Sequence, residues 1–225
     1  PSLVYGLLGL VIAQGMLGMW TVTELLMPII VSLHLLGGMT TLGLLTYITH
    51  RHWGTVSDTL ISLNPTSVKF IRFAFVILFI QIFLGGWTST NYAALACTDF
   101  PTCHGSFIPD MDFKNAFFWG PLGIDYEFGV LENQTRSAIQ MLHRIGALVV
   151  TLALSFLIVN FKNYPSLKNN LLLILALLVT QVVLGIMNVV LSLPMLVAVL
   201  HNAVALGLLL SLIGLLHKIV NNPKA

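Results

Sequence analysis

The chain has 225 residues, of which 57% are hydrophobic and 8% charged, with a mean hydropathy of +0.93 and a formal net charge of +2. Soluble domains carry about a quarter charged residues. A soluble core of this size has no room for so much apolar surface, so the solvent of this chain is lipid. Its ten Lys and Arg are scattered, which excludes a nucleic-acid partner.

Six stretches reach the roughly 20 apolar residues a helix needs to cross the hydrocarbon. The first, 3–22, follows a Pro1 that is not preceded by Met. It lacks a basic n-region and a small-residue cleavage site, so it reads as a span and not as a signal peptide; the start is expected to be cut and not natural. A short connection at 24–27 leads into the second span, 27–48, with Pro28 suited to its first turn. A longer connection over 49–69 precedes the third span, 70–89. Residues 90–137 form the longest connection, too polar to cross. The fourth span, 138–161, passes through 162–168 to the fifth, 170–193. A tight connection at 192–194, ending in Pro194, opens the sixth, 195–217, and 218–225 form a tail. The expected fold is all-α: a polytopic membrane bundle of six helices built from repeated hairpins.

Charge sign sets an expected orientation. Arg51, Lys69, Arg72, Lys162, Lys168, Lys218 and Lys224 fall on one side with both termini. Glu24 and the acidic loop residues Asp99, Asp110, Asp112, Asp125, Glu127 and Glu132 fall on the other. By the positive-inside rule the termini are cytoplasmic and the long loop is outside. That loop holds both cysteines, Cys97 and Cys103. On an oxidising face they suggest a disulfide, with a free or redox-cycling pair as the alternative. A structural zinc site would want four ligands, and only His104 stands nearby.

An internal repeat runs through the spans. Gln14, Leu17 and Gly18 recur as Gln81, Leu84 and Gly85, and again as Gln181, Leu184 and Gly185; the next span each time carries a histidine, His34, His143 or His201. Repeats of this kind place binding sites between units. His34 and His201 lie roughly 10 Å below the outer ends of their helices at 1.5 Å per residue, and His143 a little over one turn into its span. Each is followed four positions later by Gly38, Ala147 or Ala205, on the same helix face. A flat ligand on the imidazole would meet no bulky side chain there, and haem iron accepts imidazole as axial ligand. The plain alternative is a histidine hydrogen-bonded to a neighbouring helix. The glutamines and glycines read equally as interhelical hydrogen bonding and close packing. Arg144 is placed to pair with a haem propionate or to snorkel to the interface. His50, His52 and His217 read as solvated, and Trp20 and Trp87 as interface anchors.

Together these residues resemble the haem A synthase family of proteobacteria and mitochondria. The resemblance rests on the segments Gln14 to Val22, His34-Leu-Leu-Gly-Gly38, Leu84 to Tyr92, Ala96 to Cys103, His143-Arg-Ile-Gly-Ala147 and His201-Asn202. It implies eight spans in two four-helix halves, each half offering a histidine pair to one haem near the outer face. By resemblance, His143 and His201 hold a permanent haem b, and His34 is a catalytic-site ligand to the substrate haem. The family loop carries a cysteine pair at Cys97 and Cys103. The implied reaction is oxidation of the C8 methyl group of haem O to a formyl group, giving haem A for terminal oxidases of the bacterial inner membrane. Haem O synthase and an electron donor or acceptor are the implied partners, and homo-oligomerisation is left open.

The resemblance divides the chain into 1–48, the second hairpin of the substrate-haem half, and 70–217, the haem b half with its loop 90–137. The first two family spans have no counterpart, so a fragment or truncated form of a longer enzyme is expected, able to hold haem b but not to convert haem O. Two other readings compete. A di-haem cytochrome b exchanging electrons with quinone would stack its haems near opposite faces, whereas these histidines share one level. A transporter would want intramembrane charge or broken helices, and the spans have almost none.

Overall fold

A computed structural model describes residues 2–53 and 63–220. Six helices follow in chain order: α1 (Ser2–Thr23), α2 (Pro28–Trp53), α3 (Pro65–Thr90), α4 (Asn133–Phe161), α5 (Lys168–Val190) and α6 (Met195–Val220). All six are long and apolar enough to cross a membrane. Pro1, Lys224, residues 54–62 of the 49–69 connection and residues 221–225 of the tail lie outside the described residues.

Several helices overrun their apolar stretches, because hydrogen bonding does not stop where hydrocarbon does. The Asn64 side chain accepts from Ser67 N at 2.8 Å, and Pro65 takes the first turn, so α3 begins before its first lipid-facing residue. α4 likewise starts on the polar run Asn133–Arg136. Pro194 stands one residue ahead of α6, outside its first turn.

α3, α4, α5 and α6 pack each against the next, and α3 closes on α6, making a four-helix ring. Its interior is sealed by Ile71, Ala74, Leu78, Leu154, Leu157, Ile174, Leu208 and Leu212, all nearly fully buried. In lipid this association rests on close packing, since the tails are as apolar as the side chains. The α1–α2 hairpin attaches to the ring through α2, which packs on α3 and α6. Gly86 admits Leu35 at that seam, and Ser32 Oγ lies 3.3 Å from Thr90 Oγ1.

The loop after α3 is a folded cap. Trp87 is not an interface anchor: it is buried, donates Nε1–H to Ala116 O at 2.8 Å and stacks between Phe83 and Phe117. Tyr126 N donates to Leu25 O at 3.0 Å, tying the cap to the α1–α2 turn. Trp20 is 37% exposed, as an anchor would be.

Candidate functional site

The glycine of each Gln-x-x-x-Gly repeat stands five residues before the last residue of its helix: Gly18 in α1, Gly85 in α3 and Gly185 in α5. Against each glycine lies the imidazole from the following helix. A Cβ built on Gly18 would stand 3.2 Å from His34 Cε1; on Gly85, 3.1 Å from His143 Cε1; on Gly185, 3.1 Å from His201 Cε1. The glycines therefore do more than let backbones approach. Each admits one imidazole edge, at the same register from the end of its helix.

The glutamines occupy the turn beneath. Gln81 Nε2 lies 2.9 Å from His143 Nδ1 and donates to His143 O at 2.9 Å. Gln181 Nε2 lies 3.2 Å from His201 Nε2. A Cβ at Gly37 would overlap the Gln14 amide, and one at Gly146 the Gln81 amide. So a side chain three after the histidine would displace the glutamine amide in the first two hairpins, while the third carries Val204 and seats its amide differently. Gly38, four after His34, faces nothing within 4 Å, leaving that side of the imidazole clear.

His143 and His201 sit on α4 and α6, at opposite corners of the ring; His34 sits outside it, on α2. All three are half-buried. The donors fit a haem: each is an imidazole in an apolar wall, and His34 Nδ1 and His201 Nδ1 are buried without a hydrogen-bond partner, a state tolerated where a metal or ligand group completes the site. Gln81 Nε2 lies at Nδ1 of His143 whereas Gln181 Nε2 lies at Nε2 of His201, so the two rings are met at opposite nitrogens.

Cys97 and Cys103 form a disulfide, buried against Met141. The turn it closes is held to α4 from either side of His143. Gln140 accepts from Cys97 N and donates to Ala94 O at 2.8 Å. Arg144 donates from Nη1 to Thr102 O and from Nη2 to Asp99 O, both at 2.8 Å, and covers the Phe100 ring at 5.7 Å. Both terminal nitrogens of Arg144 are thus engaged by loop carbonyls. The Asp99 carboxylate organises the same turn, accepting from Thr102 Oγ1, His104 N and Gly105 N. The Thr102 hydroxyl foremost, then the Gly105 amide, lowers its pKa to about 2. His50 and His217 lie at the opposite end and stack on one another at 5.6 Å, so they are not simply solvated.

Residues 1–213 match the COX15-CtaA family, described as cytochrome oxidase assembly protein. The chain is 43% identical over 209 residues to the haem A synthase of Shewanella oneidensis, covering 91% of this chain and 62% of that one. It is 30% identical over 158 residues to that of Rickettsia massiliae, covering 68% and 44%, and 26% identical over 171 residues to that of a Wolbachia of Brugia malayi, covering 76% and 47%. The chain spans less than two thirds of the length of these curated relatives.

Proposed function

The chain belongs to the COX15-CtaA family of cytochrome oxidase assembly proteins, and from that premise we propose that it serves as a haem A synthase, oxidising the C8 methyl group of haem O to a formyl group. The observation that carries the reading is the threefold seating of an imidazole on a glycine at the same register from its helix end.

The ring α3–α6 would be the haem b unit, which His143 and His201, on opposite corners of the ring, would hold. Haem b, when bound, supplies a one-electron redox centre. Gln81 and Gln181 would fix the rotation of the two imidazoles, each from one ring nitrogen, and Gly85 and Gly185 admit the rings. His34, backed by Gly18 and Gln14, holds the substrate iron, and the α1–α2 hairpin belongs to the substrate half. Arg144 anchors the disulfide turn beside His143, which its two engaged nitrogens favour over a propionate contact. The cap over these groups restricts water at the outer end of the bundle. Haem O synthase and an outside electron partner complete the proposed setting, with the basic end cytoplasmic and the cap periplasmic.

Replacing His143 or His201 by Ala is the test. Each variant should insert normally and lose the low-spin haem b spectrum; unchanged haem b in both would remove the ligand assignment.

A further inference from the structure

At the end of the bundle opposite the three histidines, α2, α3 and α6 line an open-sided pocket of about 460 Å³, within the size range of small-ligand sites. Along α2 it runs from Met39 to Tyr47, about 12 Å at 1.5 Å per residue. Its bore is apolar, walled by Met39, Leu44, Phe75, Phe79, Leu209 and Ile213. The one hydroxyl in the bore, on Thr40, is spent on Leu36 O at 2.7 Å.

The other polar lining groups gather at the basic end: Tyr47, Arg72 and His217. His217 is met edge-on by Tyr47 at 5.9 Å. Arg51, Lys69 and Lys218 stand at the same end of the same three helices, and among the described residues no carboxylate does. Glu24 and the loop acids all lie at the far end, and Asp58 is outside the described residues. Basic side chains of all three helices therefore surround this end of the pocket.

We infer that this cavity binds an anionic phospholipid, with an acyl chain in the bore and the phosphate at Arg72. Guanidinium takes phosphate through paired hydrogen bonds, and basic pockets between membrane helices suit acidic headgroups. A zwitterionic lipid would carry an ammonium among the same basic side chains, and a quinone head has no charge to offer Arg72. The occupant would bridge α2 to α3 and α6, the seam joining the first hairpin to the ring. The inference does not depend on the haem reading.

The test uses protein purified in mild detergent from bacterial membranes. Native mass spectrometry of the unaltered protein should find one retained phosphatidylglycerol or cardiolipin, and Arg72→Gln should reduce that occupancy about tenfold, the order expected for losing one charge-assisted contact of 1.4 kcal/mol. Arg72 is exposed, so its loss leaves the core intact. Lys69→Gln, the same charge change off the cavity wall, should keep the lipid. Adding phosphatidylglycerol to stripped protein should raise its Tm, and phosphatidylcholine should not. Equal effects of the two lipids, equal occupancy in Arg72→Gln, or a quinone retained instead would each overturn the proposal.

Discussion

Gly85→Ala is the most incisive perturbation of the histidine seats. The new methyl carbon would stand 3.1 Å from His143 Cε1 and 3.8 Å from both ring nitrogens, whereas carbon pairs settle at about 3.5–4.0 Å. The ring must retreat by roughly 0.4 Å, and it cannot slide freely, because Gln81 holds both its Nδ1 and its backbone carbonyl at 2.9 Å. Overpacking of this kind costs about 1–3 kcal/mol, which is about 5- to 150-fold in haem b affinity. Gly15→Ala is the control: nothing lies within 4 Å of that site, and alanine favours a helix by about 0.5–1 kcal/mol over glycine. Haem b titration of both variants, followed by the Soret band, reads the difference. Gly85→Ala binding as tightly as Gly15→Ala would refute the claim that this glycine exists to seat the imidazole.

Gln81→Leu leaves the His143 ring without its partner, at a cost of about 1–3 kcal/mol; redox titration should find the haem b potential shifted, and an unmoved potential would confine Gln81 to packing. Arg144→Met should speed reduction of the Cys97–Cys103 disulfide by dithiothreitol, with Arg144→Lys intermediate, and equal rates would mean the contacts of Arg144 to Thr102 O and Asp99 O do not hold the turn. Alkylation of the denatured, unreduced protein should label neither cysteine in mass spectrometry; labelling of both would refute the bond. Asp99 titrates below its ordinary 3.8, at about 2, so its stabilisation of the turn is present above pH 3.8 and fades as pH falls toward 2. The disulfide in Asp99→Asn should therefore be reduced faster at neutral pH and lose that acid dependence, as reduction kinetics with an acid-active phosphine would reveal.

The spans were legible because lipid imposes one rule on every stretch, and the 20-residue apolar runs matched six helices. Their ends were less so: Asn64 and the Asn133 turn extend helices by local hydrogen bonds that hydropathy does not register. The repeat located the histidines, and one of its two readings, glutamine hydrogen-bonded between helices, is what Gln81 does. The role of the glycines was hidden, because the ring that fills Gly85 comes from 58 residues away, beyond the cap. The glycine three after His34 and His143 was the overlooked signal; its recurrence in two hairpins and replacement by Val204 in the third could have pointed to the glutamine above it. Trp87 misled for the same reason, since its partner Ala116 lies in a loop with no periodic pattern.

The central claim is tested most directly by the haems themselves. Protein purified from membranes that also make haem O would be extracted with acid acetone and its haems separated by chromatography. A haem A synthase should yield haem b together with haem O or haem A. Haem b alone from a longer form that supplies the partner of His34, in preparations where free haem O is abundant, would contradict the account and return the protein to the class of electron-carrying b cytochromes; from these 225 residues by themselves haem b alone is the expected result.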